Sequence, residues 1–452
     1  MLSKNLLLFQ DRPEACLRAI ASYKKRPSPL LLRPAVKNYD WGMRGKSAPI
    51  PGLLGIRPDE NRAYAELWIG AHPLSPAGVS LRGLDPAFKG DESSIALDTL
   101  LESDPEFFLG KKHSDSHGGQ FPFLMKVLSA ARTLSIQAHP NPRQAREGFA
   151  REESAGIPRN AADRNYRDPN PKPELLIALT DLYALNRFLR LSQIAELWEG
   201  VPELAPTIRI FRKKILRARS SGDRRAVLKD IYHECMTMSS SRANDTLSRL
   251  AERLNAGHRR RPYGRDSREY WFLKTEREIR SGPDKDRGLF AFYLLNLVHL
   301  RPDEGIFVPP GEPHSCLEGV GVEIMANSDN SLRGGLTAKH VDLPELLRTL
   351  NFNAGRPFIV RADRFGNFRT PAKEFAAGMI DLRGKGASKS ARMNGVEILF
   401  VMKGRVDIES RHGAAAFPKG SSILIPAALR RYRVRARSAS ARVYRGSVPG
   451  PA

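Results

Sequence analysis

The chain has 452 residues, 41% of them hydrophobic and 27% charged, which allows two or three domains with a substantial core and excludes a disordered chain. No run approaches 18 apolar residues, so no membrane span is expected, and Leu6-Leu7-Leu8-Phe9, behind Lys4 and ahead of Asp11, is too short for a signal-peptide core. Lys and Arg number 73 against 49 Asp and Glu; the net charge of +24 is high for a metabolic enzyme and favours anionic partners.

The basic excess is dispersed, through Lys24-Lys25-Arg26, Arg212-Lys213-Lys214, Arg259-Arg260-Arg261 and Arg430-Arg431. Dispersion of this kind reads as a solvated surface, and no zinc-finger spacing, KH-type loop or RNP-like aromatic motif accompanies it, so nucleic acid is not the expected partner. Three cysteines, Cys16, Cys235 and Cys316, are odd in number and widely spaced. They imply a reducing compartment, and the cytoplasm is the expected location.

Residues 1–30 read as an N-terminal arm closed by Pro27-Ser28-Pro29. Gly and Pro then divide the chain into short apolar runs, among them Ala65–Gly70 and Phe121–Leu128. Such punctuation predicts a β-sandwich or β-barrel. Thr133-Leu134-Ser135-Ile136-Gln137-Ala138-His139-Pro140 alternates polar and apolar residues, the period of a strand. Gln137 and His139 then share a face about 6.6 Å apart, close enough for one ion; an ordinary half-exposed strand would show the same alternation. Residues 142–165 are charged and loop-like or helical, and Leu175–Leu179 is a further strand.

Between 190 and 289 Leu, Ile and Ala recur at helical spacing, as at Leu247, Leu250 and Leu254, which predicts an inserted helical domain. Tyr263, Arg265, Tyr270 and Trp271 interleave basic and aromatic groups there; a helix-packing edge is the favoured reading over a ligand surface. β texture returns near 296. Pro302–Pro309 has a faint echo at Pro418–Pro426, each a turn, a buried strand and a proline stop. The expected organisation is mainly β with an inserted α-helical domain: a catalytic barrel from 31–189 and 290–350, helices at 190–289, and a structural barrel at 351–452.

Four candidate ligands lie in three β segments: Gln137 with His139, Glu174, and His314. Two imidazoles, a carboxylate and an amide oxygen suit a borderline divalent ion such as zinc, with an exchangeable water or an open position needed for catalysis. Lys126 lies in an apolar run and is costly unless paired or wet at its head. Lys172 and Glu174 flank Pro173 and share a face of extended chain. Glu323, Asn327-Ser328-Asp329-Asn330, Arg333-Gly334-Gly335 and Lys339 follow His314, and this mixture suits an anionic polyol.

At this point the chain resembles a family, type I mannose-6-phosphate isomerase (phosphomannose isomerase), a zinc-dependent cupin enzyme. The resemblance runs from about 34 to 447 and rests on Val36–Gly42, Tyr64–Gly70 with His72-Pro73, Lys126–Ser129, Leu134–Pro140, Lys172–Leu175, Gly311–His314, Val322–Ala326, Ser328–Asn330, Arg333 and Gly335–Thr337. It implies two cupin-like (jelly-roll) β-barrels and one zinc ion on Gln137, His139, Glu174 and His314. It further implies Arg333 as the catalytic arginine, with Glu323, Asp329 and Lys172 as other catalytic candidates. Ser135, Lys126 and Lys339 are the implied substrate-binding residues. The implied reaction interconverts mannose 6-phosphate and fructose 6-phosphate through a cis-enediol, by a monomer with no membrane partner. The chain departs from the family pattern at Pro171, Cys316, Asn141-Pro142 and Asn186-Arg187. The first two motivate an alternative, a metal-binding cupin of sugar-phosphate-binding or regulatory type without turnover.

Overall fold

The computed structural model describes residues 13–86, 88, 94–279 and 284–450. The first part of the expected N-terminal arm, 1–12, lies outside the described residues. The chain forms two compact units, each gathering segments distant in sequence: 1–129, 321–327 and 360–452 in one, 130–320 and 328–359 in the other.

The first unit begins with the helix Pro13–Lys25. Cys16, Ala19, Ile20 and Tyr23, at i, i+3, i+4 and i+7, form its buried stripe. Glu14 in the first turn and Lys24 and Lys25 in the last match the helix dipole. Leu30–Arg33 then pairs antiparallel with Ser422–Ile425, which in turn pairs with Glu397–Lys403, so residues near the two ends of the chain share one sheet of eight strands. A second sheet runs in the order Ser388–Arg392, Arg431–Ala436, Arg405–Ser410, Gly413–Pro418. Ile380, Leu399, Val401, Ile423 and Val443 from the first sheet meet Val406, Ile408, Phe417, Tyr432 and Val434 from the second in one core. The arrangement is a sandwich, and its register is legible in the strand Arg-Tyr-Arg-Val-Arg-Ala. Arg431, Arg433 and Arg435 face water while Tyr432, Val434 and Ala436 are buried, so part of the basic excess is an arginine face of a sheet.

The same unit holds a ladder of Ala35–Lys37, Glu66–Ile69 and Phe123–Ala130. Lys126, expected either to be paired or to reach water, is buried and paired: its Nζ lies 3.0 Å from Glu323 and 3.6 Å from Glu66. Two carboxylates against one ammonium satisfy a charge that an apolar strand could not otherwise hold.

The second unit is a mixed layer of strands and helices. Its strands include Glu174–Ala178, Leu182–Phe188, Leu295–Leu300, Glu304–Val308 and the first part of the long strand His314–Ala326. Glu174–Ala178 pairs with Glu304–Val308, and Leu182–Phe188 lies between Leu295–Leu300 and the long strand. Helices Leu191–Glu199, Ala205–Arg217, Ser221–Thr237, Ser240–Arg260 and Arg268–Glu278 occupy the stretch whose spacing is helical. In Ser240–Arg260 the apolar residues Ala243, Leu247, Leu250, Ala251 and Leu254 are buried, and Ser239 caps the first turn by accepting from the Arg242 amide. One core joins these helices to the strands, with Trp198, Tyr232, Trp271 and Phe272 packed against Tyr183, Leu185, Phe188, Ile136 and Ala138.

The basic-aromatic segment is part of this packing. The Arg265 guanidinium lies 4.7 Å from the ring centre of Tyr183 and 5.2 Å from that of Trp271, whose indole donates to the Arg265 carbonyl at 2.6 Å. All three cysteines are buried, and none is in a disulfide. Among the described residues no helix is long and apolar enough to cross a membrane.

Trp198 is fully buried, and its indole N–H donates to the Tyr293 carbonyl at 2.7 Å. Trp198→Ala should therefore destabilise the fold by about 3–5 kcal/mol, read as a shift of the denaturation midpoint in urea. A loss below about 1 kcal/mol would show that this core repacks around the gap.

Candidate metal centre

The stretch 133–140 runs extended, though only Gln137–Ala138 forms a regular strand. Its neighbours are held by bonds to several separate segments, one of them the strand His314–Ala326, rather than by one continuous ladder. The Leu134 amide donates to Cys316 O at 2.9 Å, Ile136 N to Gly335 O at 3.0 Å, Gly334 N to Ile136 O at 2.8 Å, and Gly311 N to His139 O at 2.8 Å. Ile136 and Ala138 point into the core, which leaves the alternate face to Gln137 and His139. Gly335 makes the contact possible: its φ is +114°, and a Cβ there would lie 2.6 Å from Gly288 Cα.

Register aligns the site. Gln137 pairs directly with His314 on one side and with Arg333 on the other. Opposed residues in an antiparallel ladder share a face, so the three side chains form one row. Glu174 opens its own strand and is almost fully buried. His139, Glu174 and His314 offer ligand atoms that all lie within 4.8 Å of one another. Glu174 Oε1 is 3.2 Å from His139 Nε2, and Oε2 is 3.1 Å from His314 Nε2.

The hydrogen bonds on the far sides of the rings assign their near sides. His139 Nδ1 lies 2.7 Å from the Asn330 carbonyl, and His314 Nδ1 lies 3.1 Å from the Glu312 carbonyl. A carbonyl only accepts, so in the neutral ring the proton is on Nδ1 and Nε2 carries a lone pair. Both Nε2 atoms are buried with no hydrogen-bond partner among the described residues. Two lone pairs facing a carboxylate repel it unless a cation lies among them. The donor set therefore fits a divalent ion such as zinc.

Electrostatics agree. Burial, and then the Lys172 ammonium, push the His139 pKa down to about 4 against the pull of Glu174. The ring is neutral at pH 7, as a ligand must be. Burial alone would raise the Glu174 carboxyl, but positive charge around it, the Lys172 ammonium included, holds it well below the usual carboxylate range. Lys172 Nζ is 3.2 Å from Glu174 Oε1 and 3.4 Å from Ser331 Oγ, so the pair around Pro173 does share a face.

Beside this group, Arg333, Lys339 and Arg167 crowd together. Burial and the Arg167 charge lower the Arg333 pKa; burial, Arg333 and Arg167 lower that of Lys339. Asp329 opposes both shifts and lies 3.3 Å from Arg167. Three cations with one carboxylate make a site in which an anion relieves repulsion. Ser135 is half-buried on the stretch that carries Gln137. Thus the second unit gathers Ser135, Gln137, His139, Lys172, Glu174, His314, Asp329, Arg333 and Lys339, whereas Lys126 and Glu323 belong to the first unit, paired with one another.

Arg167 and Asn330 were not legible as site residues. Nothing distinguishes Arg167 from other surface arginines in sequence, and Asn327–Asn330 reads as a turn. Asn330 instead ties two loops together. Its side-chain oxygen accepts from the Arg167 and Asp168 amides at 2.7 and 3.2 Å, and its Nδ2 donates to the carbonyls of Asp168 and Asn170 at 2.7 and 3.0 Å.

This is a mainly β protein with many helices and an enclosed two-histidine, one-glutamate group beside a cationic cluster. Comparison with known proteins gives the same class. The family described as phosphomannose isomerase type I, catalytic domain, matches residues 30–191. Mannose-6-phosphate isomerase of Shigella flexneri is 34% identical over 415 residues, 91% of this chain and 98% of that protein. Mannose-6-phosphate isomerase 2 of Arabidopsis thaliana is 31% identical over 412 residues, 88% of each chain. A variant of the Salmonella typhimurium phosphomannose isomerase superposes with a TM-score of 0.78 at 32% identity, covering 93% of this chain and 99% of that one. A mannose 6-phosphate isomerase bound with zinc and yttrium gives a TM-score of 0.76 at 32% identity, with the same coverage. The chain belongs to the type I phosphomannose isomerases.

In the metal-free protein the unfolded chain protonates His139 near 6.5 and the folded chain only near about 4. The unfolded state binds more protons in that window, so this contribution is complete above 6.5 and is lost as pH falls toward 4, on the order of 3 kcal/mol. Denaturation midpoints of chelator-treated protein should fall across that range; a flat profile would contradict a buried neutral ring. Asn330→Ala should weaken metal affinity about 10–100-fold by freeing the loop that orients His139, measured by competition with a chromophoric chelator.

Proposed function

We propose that this chain interconverts mannose 6-phosphate and fructose 6-phosphate, an aldose–ketose isomerisation through a cis-enediol. The observation that carries this reading is the pair of buried Nε2 lone pairs facing Glu174, with Arg333, Lys339 and Arg167 alongside. Named isomerases similar over nine-tenths of the chain support it. Gln137, His139, Glu174 and His314 would hold zinc. When bound, the ion supplies a Lewis acid that favours negative charge on the sugar oxygens.

The remaining chemistry falls to the chain's own groups. Arg333 and Lys339, with Arg167, hold an anionic group of the substrate through charge-assisted hydrogen bonds. Ser135 and Lys172 orient the open-chain hydroxyls, and Lys172 moves the hydroxyl proton from O2 to O1. Asp329 and Glu323 are the carboxylates proposed for the carbon-bound proton, which leaves C2 and returns to C1. Lys126 bridges Glu66 and Glu323.

The finer architecture belongs to the same reading. Two cupin-like barrels are supported by the echo between Glu304–Val308 and Ser422–Ile425, both buried strands in corresponding surroundings of sequence. Three buried cysteines outside any disulfide support a cytoplasmic location. A metal-binding cupin without turnover is the second reading, favoured by Pro171 and by Cys316, which is buried two residues beyond His314 on the same strand.

A coupled isomerase assay with zinc analysis on the same sample separates the two, since metal without turnover selects the second. His314→Ala should lose both zinc and turnover; normal activity in a metal-free variant would refute the zinc arrangement. Arg333→Ala should lower kcat/KM by about 100-fold or more. Of Asp329→Asn and Glu323→Gln, the one that removes the base should cut kcat about 100-fold with little change in KM, and should stop solvent deuterium entering the product.

A further inference from the structure

A cavity of about 610 Å³ opens on the second unit and shares no lining residue with the metal group. Four guanidiniums line it, those of Arg187, Arg190, Arg224 and Arg225, and no carboxylate does. Arg190, Arg224 and Arg225 are exposed at its rim, whereas Arg187 is half-buried. Ser221, first residue of the 17-residue helix Ser221–Thr237, also lines it and adds the positive end of a helix dipole. Its floor is apolar, with buried Leu228 and Phe352. Volume, charge and floor together suit a phosphate ester with a flat apolar body better than a small hydroxylated sugar.

Arg187 connects this cavity to the metal group. Its Nη1 lies 3.3 Å from Oε1 of Glu312, which is 2% exposed, and its amide donates to the Pro313 carbonyl at 2.9 Å. The Glu312 carbonyl is the one that faces His314 Nδ1, and Asn186 pairs with His314 in register. Glu312 Oε2 and Arg187 Nε are both buried without a hydrogen-bond partner among the described residues. Arg187 also sits at φ +55°, a left-handed conformation that suits glycine, so a large cationic side chain is held there against its backbone preference. An anion in the cavity would compete with Glu312 for this guanidinium.

We propose that the cavity is an effector site for a phosphate ester of the nucleoside monophosphate kind, and that Arg187 relays its occupancy through Glu312 to His314. Binding is independent of the isomerase reading; the relay rests on His314 being a zinc ligand. The test is calorimetric titration of the zinc-loaded full chain with AMP, with adenosine and inorganic phosphate as separate arms and mannose 6-phosphate as competitor. AMP should bind, mannose 6-phosphate should not displace it, and the double variant Arg190→Gln/Arg225→Gln should bind it at least tenfold more weakly. Failure of AMP to bind, equal affinity in the double variant, or adenosine binding as tightly as AMP would overturn the site. For the relay, the rate of zinc loss to a chelator should change at least threefold on AMP binding, and Arg187→Gln should abolish that change. An unchanged rate in the AMP-bound wild-type protein would overturn the relay even if the enzyme turns over normally.

Discussion

A buried carboxylate facing two unprotonated ring nitrogens is the constraint on which the second unit depends. Desolvating Glu174 is costly, and the Lys172 ammonium at 3.2 Å offsets only part of that cost. The histidines cannot help as donors, because their Nδ1 protons are already committed to the Asn330 and Glu312 carbonyls. The surrounding structure therefore holds three groups in a relation that is unfavourable by itself and favourable around a cation. This accounts for the density of fixed contacts nearby. Asn330 binds loop 167–170 to loop 328–331, Gly335 lets the backbone approach Gly288, and Ile136 and Ala138 anchor the ligand strand in the helical core.

The grouping of His139, Glu174 and His314 was legible in sequence because each candidate ligand belongs to a segment with its own local pattern. Alternation placed Gln137 and His139 on one face, and an i, i+2 relation around Pro173 placed Lys172 beside Glu174. Helical spacing of Leu247, Leu250 and Leu254 similarly marked a buried stripe. Arg167 was not legible, since its role comes from the approach of a loop 162 residues away, as the Asp329 amide to Asp168 carboxylate bond shows. The pairing of Leu30–Arg33 with Ser422–Ile425 was equally silent, because long-range strand pairing leaves no local period. The stretch 133–140 shows the opposite limit: alternation was right about faces but overstated regular strand, because its backbone partners come from one strand and several loops.

The basic excess divides into physically different parts. Arg431, Arg433 and Arg435 are the wet face of a strand. Arg265 is spent on aromatic rings and on Glu318 at 2.6 Å. Arg167, Arg333 and Lys339 stand together beside the metal group, and Arg187, Arg190, Arg224 and Arg225 surround a cavity. A net charge counted over the chain merges solvation, packing and recognition, which only placement separates.

The row formed by His314, Gln137 and Arg333 also has a fixed span. Adjacent strands lie about 4.8 Å apart, so the backbones of His314 and Arg333 are separated by roughly 10 Å, two spacings fixed by backbone hydrogen bonds rather than by flexible side chains. Because backbone hydrogen bonds fix both intervals, the distance between the His314 and Arg333 positions is a property of the sheet and not of the side chains it carries.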